Sequence, residues 1–549
     1  MRGRRCLGLL LAWLLLSATP IRADRQCQFI LGFQTLHDLD SADVGNCVDQ
    51  QAFAANGDAQ QHTTNGLLVW RKADNWTAFT NGSMTWINGP TGLVSRLNSQ
   101  RFPWEADAGA ASPIPASFFG MTTTRATAYP ALSLGALGKP PNFGWPWNEP
   151  SPGVFNWNTV DADLDQADRH GVDFLYDLGG TPPWAAANPS SCRTRVANVG
   201  ICTSPPARLQ DWQDYVTAVA TRYQGRIKFY ELWNEPNARN FWSGSYADMV
   251  TLARSAYTII KAIDPAAQVL TPAPTGPVGS VNGVVSASDW MAGYLQAGGA
   301  SYADIGAWHG YMGRTGATPF PEPEQDASTA CPTPQCYGSI LTKVHTMRAV
   351  FDANGMAGKP MFDTEGSWGV TTNVPDPQAQ SAWLARWYLL QASSYASDNL
   401  QRVYWYAWGQ GGASNGWGTI DDAAEAPTDA GLAYNQVYTW LVGATMTGPC
   451  TADPNGLWTC PLSRSGGYQA VVVWSTAGPA DYTAPPGSRQ YRDLAGHTVA
   501  ISGTITVGPA PLLIEPLARL DNGIRTSVSF SYEVTLMRTG PPSTGLIIP

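Results

Sequence analysis

Between residues 118 and 441 the chain repeats one pattern: a short apolar run, then a longer stretch whose apolar residues return every three or four positions. Eight such runs are predicted as strands, at 118–122, 133–137, 172–178, 227–233, 268–272, 305–309, 360–365 and 402–407. Helical spacing is clear in Trp212, Tyr215, Val219 and Tyr223, and again in Met249, Ala253, Ala256 and Ile260. Ser245 and Asp248 open the second of these stretches, a pair suited to satisfy the free N–H groups of a first helical turn. A strand that is always followed by a helix must lie parallel to its neighbours, because the helix carries the chain back to the starting edge. Eight units of this kind predict an α/β chain built on a (β/α)8 TIM barrel.

The flanks read differently. Residues 24–105 carry short β-like runs separated by Gly and Asn, which predicts a small β-rich N-terminal module. Its Trp70, Trp76, Trp86 and Trp104 could fill a small core or form a sugar-stacking surface, with the core the ordinary use of such rings. Residues 106–117, rich in Ala and Pro, read as a linker, and the barrel runs over 118–445. Alternating runs such as 468–474 and 504–507 then predict a C-terminal all-β, sandwich-like domain over 446–515, followed by a weakly ordered tail, 516–549.

The first five residues are basic, and the apolar run 7–16 after them is too short to span a bilayer, so residues 1–23 are expected to be a signal peptide. Its removal takes away four arginines and no acid, moving the formal net charge from −9 to −13. A secreted chain without membrane anchor is expected, and its acidity disfavours nucleic acid as a partner. Of nine cysteines, Cys6 lies in the leader. The other eight fall into local pairs, Cys27 with Cys47, Cys192 with Cys202, Cys331 with Cys336 and Cys450 with Cys460, as expected of disulfides in an exported protein. With six His and no zinc-like spacing, no metal or other cofactor is expected.

Active sites on such barrels lie at the carboxyl ends of the strands. Two glutamates stand there: Glu235 in Phe229-Tyr-Glu-Leu-Trp-Asn-Glu-Pro-Asn237 and Glu365 in Asp363-Thr-Glu-Gly-Ser-Trp368. Two carboxyl groups brought together from different strands are what glycosidic bond cleavage requires, one to protonate the leaving oxygen and one to attack. Glu231 shares a strand face with Glu235, but four extended residues separate the two by about 13 Å, too far for a reacting pair. A second Trp-Asn-Glu-Pro ends at Pro150, yet it follows a Pro-rich stretch and not a strand, which makes Glu149 a loop residue ahead of a helix.

These paired glutamate contexts resemble clan A of the glycoside hydrolases, most closely family 39 (β-xylosidases and α-L-iduronidases) and neighbouring family 5 types. The similarity covers roughly residues 118–515 and includes Gly179-Gly-Thr-Pro-Pro-Trp184 and Asp304-Ile-Gly-Ala-Trp-His-Gly-Tyr311. The resemblance implies that Glu235 is the acid/base, that Asn234 binds the sugar 2-hydroxyl, and that Glu365 is the nucleophile. It places His309 and Tyr311 among groups that contact substrate or hold the nucleophile, although His309 also fits a satisfied core histidine. It implies Trp408 as the platform under the sugar, with Trp405 the alternative. Trp184 either lines the cleft or packs under the loop held by Cys192 and Cys202. One departure stands out: where the clan usually has Arg at the end of strand two, this chain has Gly138, and the adjacent Lys139 cannot reproduce a two-toothed guanidinium contact. The expected activity is retaining hydrolysis of β-linked plant or microbial oligo- or polysaccharide. A barrel that binds sugar without cleaving it, and a transglycosylase using the same residues, are the rival readings.

Overall fold

The computed structural model describes residues 27–53, 58–71, 76–89, 92–97, 112–124, 129–138, 144–194, 199–276, 285–312, 320–325, 338–370, 373–411, 416, 418 and 420–517. The expected leader, the Cys331–Cys336 pair, Trp104, Lys139 and the tail beyond residue 517 lie outside these residues. The chain divides into two compact units, residues 1–110 and 111–549.

The first unit is a six-stranded antiparallel meander, β1 (Ala52–Phe53), β2 (Ala59–His62), β3 (Leu67–Arg71), β4 (Trp76–Thr80), β5 (Met84–Gly89) and β6 (Gly92–Leu97), paired in sequence order. Two helices that the turn-rich sequence did not advertise precede it, α1 (Leu31–Leu39) and α2 (Ser41–Val44). Phe33 and Leu36, one turn apart on α1, pack with Val44 against Ala59, Leu68 and Phe79 of the sheet. Trp70 and Trp86 lean on the same cluster, so these two indoles serve the core. The Arg71 guanidinium lies 5.4 Å from the Trp76 ring centre, and the Cys27–Cys47 disulfide holds the start of the unit.

The second unit is built on eight parallel strands, β7 (Phe119–Thr123), β8 (Ala136–Gly138), β9 (Asp173–Asp177), β12 (Phe229–Glu231), β13 (Gln268–Leu270), β14 (Gly306–His309), β15 (Met361–Gly366) and β16 (Leu400–Trp408). A short hairpin, β10 (Cys192–Thr194) and β11 (Gly200–Cys202), is stapled by the Cys192–Cys202 disulfide in the loop after β9. The strands pair in the order β13-β12-β9-β8-β7-β16-β15-β14, and a parallel bridge between Leu270 and Ile305 closes the ring. This is the (β/α)8 barrel that the eight-fold alternation predicts.

Helices α3 (Trp145–Asn148), α4 (Asn158–His170), α5 (Leu209–Arg222), α6 (Tyr246–Ile263), α7 (Ala287–Gln296), α8 (Ile340–Phe351), α9 (Pro377–Ser393) and α10 (Asp429–Leu441) accompany the strands. Trp212, Tyr215, Val219 and Tyr223 are buried, as are Met249, Ala253, Ala256 and Ile260. Burying a large apolar side chain of this kind stabilises by about 2 kcal/mol. Ser245 and Asp248 form a reciprocal capping box at the start of α6, a feature that contributes about 1 kcal/mol. Among the described residues, no helix is long and apolar enough to cross a membrane.

Inside the barrel, Ala136, Leu175, Leu270, Ala273, Ile305, Ala307, Phe362 and Tyr404 form one cluster. The Tyr404 ring fills space that two glycines leave for it: a Cβ on Gly120 would lie 2.3 Å from the ring and one on Gly138 would lie 2.9 Å from it. Gly138 therefore has a packing reason. Glu231 is fully buried, and its strand partners in register are Asp177 of β9 and Leu270 of β13.

Past the barrel, β17 (Thr445–Met446), β18 (Thr451–Ala452), β19 (Leu457–Arg464), β20 (Tyr468–Ser475), β21 (Ala480–Tyr482), β22 (Gln490–Arg492), β23 (Thr498–Ala500), β24 (Ile505–Val507) and β25 (Leu512–Glu515) form one seven-stranded sheet and a separate β21–β24 pair. One face of β20 gives Val471 and Val473 to a core shared with Ile505 and Val507, while the other gives Val472 and Trp474 to the main core around the barrel. Cys450 and Cys460 form the third disulfide. A clamp of polar groups joins sandwich and barrel: Trp474 Nε1 donates to Glu324 Oε1 at 2.9 Å, and Arg386 of α9, fully buried, reaches Glu322 at 2.7 Å and Glu324 at 3.5 Å. Ile114, in the stretch expected as linker, is buried and exchanges backbone hydrogen bonds with Gly443 and Ala444.

Candidate active site

The fourth barrel strand continues past Glu231, with Asn234 bridging Ala273 in parallel and Glu235 N–H donating to the Ala273 carbonyl at 2.9 Å. Glu235 adopts φ +43°, a left-handed conformation that a non-glycine residue holds only at a cost of about 1 kcal/mol or more. His309 ends β14 and is fully buried. Its Nδ1 lies 3.1 Å from Glu235 Oε1 and 3.6 Å from Glu365 Oε2. Tyr311, also buried, donates its hydroxyl proton to Glu365 Oε2 at 2.9 Å. One oxygen from each glutamate and one His309 ring nitrogen all lie within 4.8 Å of each other. Four residues from three strand ends thus meet at one point.

Two more residues build this corner. Gly310 N–H donates to the Asp363 Oδ1 carboxylate at 2.8 Å and to the Glu365 carbonyl at 2.7 Å. A Cβ on Gly310 would sit 2.0 Å from Asp363 Oδ2. The glycine therefore lets β14 approach β15 closely enough to set His309 and Tyr311 on either side of Glu365. Asp363 is wholly buried, which pushes its carboxyl well above the usual carboxylate range. Burial also lowers the nearby Lys343 ammonium to about 7, against the pull of Asp363. Tyr311 is likewise raised well above an ordinary phenol, by burial first and by the charge of Glu365 second.

The aromatic assignments change. Trp408 is fully buried in the core between barrel and helices, and in this structure it offers no ring face to a ligand. The register of β16 against β7 shifts between Tyr406 and Trp408, so the in–out alternation that runs through Tyr404 and Tyr406 is broken before Trp408. Trp405 is buried too, its Nε1 held by the Gly418 carbonyl at 2.6 Å and its ring 5.4 Å from that of Trp387. Tyr406, half-buried, stands 6.3 Å from the Tyr311 ring and is the aromatic residue of β16 that reaches the site. Period-two counting from Tyr404 along the eighth strand is the sequence signal that selects it.

Asn234 is half-buried beside Glu235. Trp184 lies elsewhere: its Nε1 donates to the Glu149 carbonyl at 2.9 Å, its ring meets Trp145 edge-on at 5.7 Å, and it lines a groove with Phe155, Asp211 and Arg222 that shares no residue with the glutamate pair. Glu149 is a loop staple, accepting from Trp145 Nε1 at 2.6 Å and from Gly153 N at 2.8 Å. Its carboxyl is raised, chiefly by burial.

No known family pattern matches the sequence, and no curated protein does so. Solved structures share the fold. A family 39 glycoside hydrolase from the gut symbiont Bacteroides cellulosilyticus WH2 superposes with a TM-score of 0.56 at 16% identity, over 83% of this chain and 89% of that one. A monomeric beta-xylosidase from Caulobacter crescentus CB15 gives 0.51 at 16% identity, over 75% and 98%. CelM2, a bifunctional glucanase-xylanase from a metagenome library, gives 0.50 at 13%, over 74% and 97%. The fold is thus of the kind that clan A glycoside hydrolases carry, in agreement with the resemblance read from the glutamate contexts.

Proposed function

We propose that the chain is a retaining glycoside hydrolase in which Glu365 is the nucleophile and Glu235 the acid/base. The observation that carries this reading is the approach of the two carboxylates to within 4.8 Å. Retaining enzymes hold their carboxyl groups about 5–5.5 Å apart, whereas inverting ones leave about 6.5–9.5 Å for a water. In the first step a Glu365 oxygen bonds to the anomeric carbon as the glycosidic oxygen departs with the Glu235 proton. Water then attacks the glycosyl ester, giving its proton back to Glu235 and releasing Glu365. Tyr311 holds Glu365 for attack, Asn234 binds the sugar beside the acid, and Tyr406 supplies the aromatic surface at the eighth strand.

Secretion is supported by the basic-then-apolar start of the sequence and by the three disulfides among the described residues. Acting on β-linked plant or microbial glycans is supported by the fold neighbours, so aryl β-xylosides and β-glucosides are the first substrates to test. Glu365→Ala should abolish turnover of an active aryl glycoside, and azide should rescue it with a product of inverted anomeric configuration. Undiminished hydrolysis by Glu365→Ala refutes the assignment.

A further inference from the structure

The residues that would carry out hydrolysis are also a set of metal-binding groups. Glu235, His309 and Glu365 come from three strands, 74 and 56 residues apart in sequence, and converge with their donor atoms within 4.8 Å of one another. We propose that these three side chains bind a divalent transition-metal ion of the Zn2+ type, and that the bound ion shuts off hydrolysis by occupying the place of the sugar.

A tetrahedral zinc ion with bonds of about 2.0–2.2 Å requires its ligand atoms to stand about 3.3 Å apart. His309 Nδ1 lies 3.1 Å from Glu235 Oε1 and 3.6 Å from Glu365 Oε2, so two of the three separations already fall within a few tenths of an ångström. The carboxylate–carboxylate separation, at most 4.8 Å, closes by torsion of Glu235, whose side chain is half-buried. One imidazole nitrogen with two carboxylate oxygens suits zinc and its transition-metal neighbours. Ca2+ and Mg2+ favour all-oxygen shells, so a corner that offers an imidazole nitrogen between its two carboxylates selects against them. Tyr311 already donates to Glu365 Oε2, the kind of outer hydrogen bond that fixes a ligating carboxylate in place.

An ion bound to one oxygen of each glutamate occupies the gap between the two carboxylates. That gap is where the anomeric carbon and the departing oxygen must lie, so ion and sugar exclude each other. Binding of the ion stands on geometry alone; only its effect on turnover rests on the function proposed above.

The test titrates the metal-stripped full chain with ZnCl2 by calorimetry and measures aryl glycoside hydrolysis with and without the ion. The expected result is one site that weakens about 100-fold in both His309→Asn and Glu365→Gln, each checked for an unchanged thermal transition. In the wild type, Zn2+ should raise KM and leave kcat unchanged, EDTA should reverse this, and Mg2+ or Ca2+ at equal concentration should have no effect. A site that His309→Asn and Glu365→Gln leave intact would place the ion at an exposed pair such as His62–Asp49 and overturn the proposal. So would the absence of saturable binding up to about 1 mM, or inhibition that substrate does not relieve. Loss of the site in both variants supports the ion site even if no glycoside is cleaved, in which case the hydrolase reading falls and the inhibition with it.

Discussion

Tyr311 offers a clean separation of catalytic positioning from packing. Its hydroxyl donates to Glu365 at 2.9 Å in a site where the tyrosine is 8% exposed. Tyr311→Phe keeps the ring and removes one hydrogen bond to a buried carboxylate. A hydrogen bond to a charged acceptor is worth about 1.5–3 kcal/mol, which corresponds to a loss of about 10- to 150-fold in kcat/KM on an active aryl glycoside. Stability should move little, because no volume is vacated beyond one oxygen. The control is the azide-rescued Glu365→Ala background, where the hydroxyl has no carboxylate to hold. There Tyr311→Phe should change the rescued rate by less than about two-fold. An equal loss in both backgrounds would show that Tyr311 acts on the sugar or on Glu235, and would refute the coupling to Glu365.

Other consequences follow from burial. Glu324, raised from 4.5 to about 7 by burial beside Arg386, Glu322 and Trp474, keeps in the folded state a proton that the unfolded chain releases. Its contribution to stability is therefore present below about pH 4.5 and is lost as pH rises to about 7. Glu324→Gln should flatten that decline in a series of thermal melts, and an unchanged pH slope would contradict the assignment. Gly120→Ala should destabilise more than Gly138→Ala, since the added carbon meets the Tyr404 ring at 2.3 Å in the first and 2.9 Å in the second. Overpacking of this type costs about 1–3 kcal/mol, measurable by urea unfolding, and the reverse order would show that Tyr404 yields at Gly120.

The barrel was legible because each strand–helix unit writes its own period: 229–231 lies inside the predicted run 227–233, and 361–366 overlaps 360–365 almost completely. The meeting of Glu235, Glu365, His309 and Tyr311 was legible for a related reason, since every one of them sits at a strand's carboxyl end. What escaped depended on side chains from distant segments. Nothing near Asp363 announces that its carboxylate will receive Gly310 N–H, and the registry shift that turns Trp408 away from the site is a property of two paired strands. The metal-like trio is invisible to spacing rules for the same reason. Helix α1 was missed because its apolar face, Phe33 and Leu36, fills only one turn.

The Trp474–Glu324–Arg386 clamp bears on how the molecule can be cut. Severing the chain at residue 445 would remove the indole that donates to Glu324 Oε1 and uncover a guanidinium now sealed from water. The loosened stretch includes Pro321, whose carbonyl holds Trp368, three residues beyond the proposed nucleophile. A trimmed barrel would thus lose order nearest its chemistry, and the sensible unit for expression or grafting keeps the barrel and the β-sandwich together.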